Sequence, residues 1–112
     1  EVLPASGSRW LDNLVAKNLH HLSIINRIEL LGYNGKSSEM QAMAEFVQAS
    51  NVLLLTENVV LKTIEIRKSH KIKLPDAIIA ATALTHNLTL VSRNTNDFKN
   101  ISGLKVVNPH LV

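Results

Sequence analysis

The chain alternates short runs of leucine and β-branched residues with longer segments of helical periodicity, and this alternation limits its possible folds. Four short runs are predicted to be strands, at residues 21–25, 52–55, 88–92 and 104–107. Helical segments separate them, so successive strands need crossover connections, which favour a parallel sheet. We therefore predict one α/β domain spanning residues 1–112, with a parallel sheet and helices on both faces.

Polar residues in front of apolar periodic segments predict where the helices begin. The predicted caps or first residues are Ser8, Asn26, Ser37 or Ser38, Thr56 and Asp76. The helix after Thr56 is predicted to run to about Lys71 and to bury Val59 and Ile64. Pro75 then separates it from the next helix, because the residue before a proline avoids the α conformation.

Composition narrows the classes of function. Hydrophobic residues make up 46% of the 112 residues and charged residues 19%, which is typical of a globular protein. The chain has no cysteine, which excludes disulfides and thiolate metal sites. The same absence of cysteine is compatible with the cytoplasmic location that we expect. The apolar runs are shorter than the roughly 18 residues of a membrane-spanning helix, so we expect no membrane partner. The net charge of +3 permits nucleic-acid binding but does not by itself indicate it.

Three acidic residues lie near junctions between predicted elements, namely Glu29, Asp76 and Asp97. Sites in parallel α/β sheets collect at the carboxyl ends of the strands, where these side chains could meet. Grouped carboxylates are ligands for Mg²⁺ or Mn²⁺. Such an ion can orient a water molecule and stabilise charge on a phosphate in transfer.

Each acidic residue also has a purely local explanation. Asn26 and Glu29 have the spacing of a capping box, in which Glu29 would accept a hydrogen bond from the Asn26 backbone. Asp76 opens a predicted helix, where the helix dipole favours a negative charge. Asp97 lies in a run of turn-forming residues and is compatible with an ordinary turn.

Basic residues concentrate between residues 62 and 73 and recur at Arg93. A solvated helix face is the structural explanation for such a run. The functional alternative is attraction to the phosphate backbone of a nucleic acid. The residues predicted to bind nucleic acid in that case are Lys71, Lys73 and Arg93.

Three segments, in this order, resemble PIN-domain nucleases of the VapC toxin type: SIINRIELLGY, LPDAIIAATA and LVSRNTNDFKNISGLKVVNP. The resemblance covers the chain from about residue 22 to residue 109. It implies a PIN-like three-layer α/β/α domain that binds Mg²⁺ or Mn²⁺ and cuts RNA. It also implies a cognate antitoxin as partner and, commonly, a homodimer.

The resemblance assigns roles to individual residues of this sequence. Glu29 and Asp76 match the second and third acids of the family's metal site. The last acid falls in the loop SRNTNDF, at Asn94 in some members and nearer Asp97 in others, and Ser92 matches a hydroxyl position near the site. All five are therefore expected to be catalytic, with Glu29, Asp76 and Asp97 as the metal ligands.

The sequence departs from the family at its beginning. The family starts with a central strand of the form L-L-D-T-N, which carries the first metal-site acid, and no such strand precedes Glu1. Asp12 lies on a predicted helix and does not replace that acid. We therefore expect a PIN domain that lacks its first central strand. Two hypotheses follow: a metal-dependent endoribonuclease, or a catalytically impaired fragment that acts by self-association or antitoxin binding.

Overall fold

The structure is a computed structural model that describes residue 17 and residues 20–109. Its elements in chain order are β1 His21–Ser23, α1 Ile24–Leu31, α2 Ser37–Gln48, β2 Asn51–Leu53, α3 Glu57–Ser69, α4 Leu74–Thr85, β3 Leu90–Val91 and β4 Val106–Val107. The helix predicted after Ser8 falls outside the described residues. The four predicted strands are present, and helices separate β1 from β2 and β2 from β3.

The strands pair in parallel. Strand β1 pairs with β2, with His21 opposite Asn51, and β3 pairs with β4, with Leu90 opposite Val106. Within residues 20–109 the two pairs form separate two-stranded sheets, because no described strand is hydrogen-bonded to both. The predicted α/β class with parallel strands is confirmed.

Strand β1 is shorter than predicted because Ser23 caps helix α1. The Ser23 Oγ accepts a hydrogen bond from the Asn26 backbone N–H (3.1 Å), and the Asn26 Oδ1 accepts one from the Ser23 backbone N–H (2.9 Å). This reciprocal pair is a capping box, so α1 begins at Ile24 and not at Asn26. The predicted capping box between Asn26 and Glu29 is therefore wrong, and the Glu29 carboxylate is left out of the cap.

Helix α2 begins one residue earlier than a serine cap would allow. Lys36 is the residue that flanks the helix, and its backbone N–H donates to the Glu39 Oε1 (3.2 Å). Ser37 and Ser38 consequently lie in the first turn, and the prediction that one of them caps the helix is wrong.

Thr56 caps helix α3 as predicted, because its Oγ1 accepts a hydrogen bond from the Val59 backbone N–H (3.4 Å). The chain already turns before this cap, since the Thr56 N–H donates to the Leu54 carbonyl (3.0 Å). Strand β2 therefore ends at Leu53. The prediction of a buried strand over residues 52–55 is wrong for its last two residues, because Leu54 lies outside the strand and is 58% exposed.

The buried face of α3 differs in part from the prediction. Val59 is fully buried as expected, but Ile64 is 47% exposed. Thr63 and Ile66 face the core instead, and with Val59 they follow the i, i+4, i+7 spacing of one helix face. The helix ends at Ser69, two residues before the predicted end.

Helix α4 begins at Leu74, so Pro75 lies in its first turn and not between two helices. Proline is tolerated there because the N–H groups of a first turn have no partner within the helix. The alanines Ala77, Ala80 and Ala81 are completely buried. Their small side chains allow α3 to pack closely against α4, and this is the main helix contact of the described domain.

The end of α4 explains why strand β3 starts later than predicted. The Leu88 N–H donates to the Ala83 carbonyl (2.8 Å) and the Asn87 N–H to the Leu84 carbonyl (3.2 Å), with Asn87 in the left-handed conformation at φ 53°. This is a Schellman motif. Because it uses the Leu88 N–H to close the helix, pairing with β4 begins only at Leu90.

The core contains residues of α3, α4 and the segment after β3. Its buried members are Val59, Ile66, Ala77, Ile78, Ala80, Ala81, Phe98 and Ile101. Two buried threonine hydroxyls are satisfied within their own helices: Thr63 donates to the Val59 carbonyl and Thr82 to the Ile78 carbonyl, both at 2.7 Å. None of the described helices is long and apolar enough to cross a membrane.

Candidate active site

Asp76 lies in the first turn of α4, at the end of the helix where backbone N–H groups point outward. No side chain caps this helix. The Asp76 carboxylate is half-buried and forms no hydrogen bond within the described part of the chain. The helix dipole favours its negative charge, so the position both stabilises the helix and presents a carboxylate that is not already engaged.

Glu29 lies on α1, which follows directly from the carboxyl end of β1. Helix α4 contacts both α1 and β1, so Glu29 and Asp76 belong to elements that pack against each other. The Glu29 side chain is exposed and has no hydrogen-bonding partner among residues 20–109. Since the capping box is formed by Ser23 and Asn26, the local explanation for Glu29 no longer applies.

The loop after β3 is held at both ends. At its start the Ser92 N–H donates to the Val107 carbonyl (2.9 Å), and the Ser92 Oγ accepts a hydrogen bond from the Asn94 N–H (3.1 Å). The Asn94 Nδ2 donates to the Asp97 Oδ2. At the other end Phe98 is 3% exposed and packs in the core. The structure thus brings together three of the predicted site residues in one ordered loop.

The three predicted metal ligands are not gathered into one group. In the described ranges, no set of three His, Asp or Glu side chains is close enough to hold a metal ion. The donor chemistry of Glu29, Asp76 and Asp97 suits Mg²⁺ or Mn²⁺, which prefer carboxylate oxygens. The described residues alone nevertheless do not form a complete site for such an ion.

The predicted nucleic-acid-binding lysines lie in the short connection between α3 and α4. Lys71 and Lys73 are exposed, and Lys73 is the residue that flanks α4 three positions before Asp76. Arg93 is exposed in the loop after β3. These cations therefore lie near the candidate carboxylates in sequence, on the segments that lead into them.

His70 connects these two segments and was not predicted to have a role. It ends α3, and its Nε2 lies 3.0 Å from the Asn100 carbonyl oxygen. The imidazole therefore ties the connection that carries Lys71 and Lys73 to the segment that follows Asp97. The contact joins residues 30 positions apart, so no local pattern in the sequence could indicate it.

A shallow cavity of about 140 Å³ lies beside His70 and is distinct from the candidate carboxylates. Its lining includes Lys62, Glu65 and Leu84, and Lys62 and Glu65 form an ion pair at 3.2 Å. None of the predicted site residues lines it. The cavity therefore does not mark the candidate active site.

One ionisable group in the described domain has a clearly shifted pKa. In the turn between α1 and α2, the Tyr33 hydroxyl donates to the Glu39 Oε1 (2.9 Å). This hydrogen bond, together with the negative charge of Glu39, raises the pKa of Tyr33 above its ordinary value of 10.0. The same carboxylate accepts from the Lys36 N–H, so Glu39 joins the turn to the first turn of α2.

Comparison with known protein families matches residues 6–104 of the chain to the PIN domain. Comparison with curated proteins returned no significant match.

Solved structures agree with the family match. A toxin–antitoxin complex from Klebsiella pneumoniae contains a chain that is 30% identical, with a TM-score of 0.69, and the alignment covers 93% of this chain and 94% of that one. The structure of FitAB bound to an IR36 DNA fragment gives 27% identity and a TM-score of 0.79, over 98% and 87% of the two chains. VapBC2 from Rickettsia felis, bound to a DNA fragment from its promoter, gives 24% identity and a TM-score of 0.75, over 94% and 86%.

Proposed function

Because the chain belongs to the PIN-domain family, we propose that it is a metal-dependent endoribonuclease and the toxin of a VapBC-type toxin–antitoxin system. Its reaction would be the hydrolysis of RNA phosphodiesters. The observation that carries the proposal is Asp76, a half-buried carboxylate at a helix N-terminus with no hydrogen-bonding partner in the described part of the chain. A carboxylate at the third position of a helix can close a capping box by accepting a hydrogen bond from the backbone N–H of the flanking residue, here Lys73, and the Asp76 carboxylate does not do so. Its oxygens are therefore available to a ligand.

Asp76, Glu29 and Asp97 are the residues proposed to hold Mg²⁺ or Mn²⁺, together with ligands beyond the three described side chains. The bound ion would neutralise charge on the phosphate and lower the pKa of a water molecule. The protein's own contribution is to keep the carboxylates in place. Helix α4 does this for Asp76, α1 for Glu29, and the anchored loop of Ser92 and Asn94 for Asp97.

Lys71, Lys73 and Arg93 are proposed to attract the RNA backbone. All three are exposed, and the chain has a net positive charge. Phosphate contacts of this kind position a nucleic acid without reading its sequence. They would bring a phosphodiester toward the segments that carry the acids.

A cognate antitoxin is the proposed protein partner, because a similar solved structure, with a chain 30% identical to this one, is described as a toxin–antitoxin complex. Large apolar side chains are exposed on α1, where Ile28 is 60% and Leu31 49% accessible. Such a surface is compatible with a protein partner. Homodimer formation is proposed from the resemblance to the family, and a cytoplasmic location is proposed because the chain has no cysteine.

The proposal is tested by measuring cleavage of a fluorescently labelled RNA by the purified chain, with Mg²⁺, with Mn²⁺ and with EDTA. Asp76→Asn keeps the shape of the side chain and removes its charge, and we expect it to abolish metal-dependent cleavage. Glu57→Gln is the matched control, because Glu57 is likewise a carboxylate in the first turn of a helix, α3. Cleavage that persists in EDTA or in Asp76→Asn would contradict the proposal.

The second candidate function is a binding module with impaired catalysis. It is favoured by one observation, namely that the described acids do not form a metal-holding group. The same purified chain distinguishes the two functions. A binding module would associate with itself or with an antitoxin in sedimentation experiments but would leave the RNA intact at every metal concentration.

A further inference from the structure

We propose that Asn94 is a positioning residue that orients the Asp97 carboxylate by donating a hydrogen bond to it. The inference rests on the proposed function, in that Asp97 is taken to act in the nuclease site. It gives the two loop residues separate roles: Asp97 supplies the functional carboxylate, and Asn94 holds that carboxylate in one orientation. In the structure the Asn94 side chain donates a hydrogen bond to the Asp97 side chain. The amide is the donor and the carboxylate the acceptor, so the two residues have different roles.

The direction of the hydrogen bond is determined by chemistry. An ionised carboxylate can only accept, whereas an amide has one donating and one accepting end. The atom of Asn94 that faces the Asp97 Oδ2 must therefore be the Nδ2, as the structure has it. Turning the amide over would place two acceptor oxygens against each other.

The backbone holds Asn94 in position to donate. Its N–H is bonded to the Ser92 Oγ, and the Ser92 N–H is bonded to the Val107 carbonyl of strand β4. A continuous series of hydrogen bonds thus runs from the β3–β4 sheet to the Asp97 carboxylate. On the other side, the neighbouring Phe98 is buried. The chain is therefore held in place on both sides of Asp97, although the Asp97 side chain itself is exposed.

An exposed carboxylate without such a donor would sample several rotamers. A hydrogen bond to an ionised acceptor is stronger than one between neutral groups, so Asn94 restricts Asp97 to one orientation. Asn94 is also neutral and adds no repulsion, which a second carboxylate three residues away would do. In this chain the amide at position 94 therefore supports the acid at position 97 and does not substitute for it.

The decisive variant is Asn94→Asp, which preserves the size of the side chain and replaces the donor by an acceptor. We expect RNA cleavage to fall about 10- to 100-fold, because displacing a catalytic group by roughly 1 Å costs up to about that much. Asn96→Asp is the matched control. It adds the same charge in the same loop, at an exposed residue that forms no hydrogen bond among the described residues, and we expect wild-type cleavage.

The double variant Asn94→Asp/Asp97→Asn exchanges the two side chains and can restore a hydrogen bond of opposite direction. Its thermal stability should return to the wild-type value while cleavage stays low, because the acid is then at the wrong position. Wild-type cleavage by Asn94→Asp, or full recovery in the exchanged variant, would overturn the inference. Either result would mean that an acid at position 94 serves the site directly.

A second measurement does not depend on nuclease activity. In ¹⁵N-resolved NMR spectra, Asp97→Ala should shift the side-chain amide resonances of Asn94, whereas Asn96→Ala should leave them in place. If Asp97→Ala leaves these resonances unchanged, the hydrogen bond is absent and the inference fails. If the wild-type chain does not cut RNA, the proposed function fails, and the amide resonances still decide whether Asn94 orients Asp97.

Discussion

Phe98 anchors the loop that carries Asn94 and Asp97, and its replacement by alanine tests whether this anchor determines both stability and activity. The side chain is 3% exposed and packs in the core with Val59 and Ile101. Removing a buried phenylalanine ring costs about 3–5 kcal/mol in free energy of unfolding, through reduced burial and the cavity left behind. A domain of this size has roughly 5–15 kcal/mol in total, so Phe98→Ala removes a large share.

The assay is urea unfolding followed by far-UV circular dichroism. With the slope of unfolding free energy against urea unchanged, a loss of about 4 kcal/mol lowers the midpoint by roughly 2 M. Phe98→Leu keeps part of the apolar volume and should show a smaller loss. Lys99→Ala, at the exposed neighbouring position, should remain within about 0.5 kcal/mol of the wild type.

A comparison of RNA cleavage between two core variants distinguishes the loss of the loop anchor from a general loss of stability. Val59→Ala also removes core volume, but on α3 and not on the loop. At a temperature where both variants are folded, Phe98→Ala should lower RNA cleavage and Val59→Ala should not. The reasoning is refuted if Phe98→Ala unfolds at the wild-type urea concentration, or if the two variants lose cleavage equally while folded.

The remaining predictions concern the cations, the acid and one tyrosine. Replacing Lys71 and Lys73 together by glutamine should weaken RNA binding. The slope of the logarithm of the RNA-binding constant against the logarithm of salt concentration should become shallower by about 0.7 for each phosphate group that is no longer neutralised. Lys105→Gln should change neither the affinity nor this slope. Asp76→Asn should lower the free energy of unfolding by only about 0.3–1 kcal/mol, because it removes the interaction of the carboxylate with the helix dipole. Thermal unfolding should therefore show that the variant is folded although it no longer cleaves RNA. Because Glu39 raises the pKa of Tyr33 above 10.0, the neutral phenol stabilises the folded state below pH 10 and this contribution disappears as the pH rises through the folded-state pKa. Thermal unfolding between pH 8 and 11 should show this decline in the wild type and a weaker one in Tyr33→Phe, and equal pH profiles would contradict the assignment.

The candidate site was partly accessible from the sequence. Glu29 lies on the helix that follows β1, and Asp76 lies in the first turn of α4, after the connection from α3. A pattern of short β runs and helical segments locates both helices. The bond between Asn94 and Asp97 spans three positions, so turn-forming residues at that spacing could have suggested it. The contact of His70 with Asn100 could not be predicted, because it depends on how α3 packs against a distant loop.

Local chemistry decided where α3 begins and why α4 accepts a proline in its first turn, because caps and first turns involve residues within about four positions of each other. The order of strands and helices followed from the alternation of short apolar runs and helical periodicity, and with it the parallel pairing of β1 and β2, which helices separate. The parallel pairing of β3 and β4, between which no described helix lies, was decided by the tertiary structure. Only the tertiary structure decided that Thr63 and Ile66 are buried and Ile64 is exposed, since packing against α4 selects one face of α3. It alone also showed that the three acids are not gathered in residues 20–109, because the position of a side chain in space depends on long-range packing that no local pattern records.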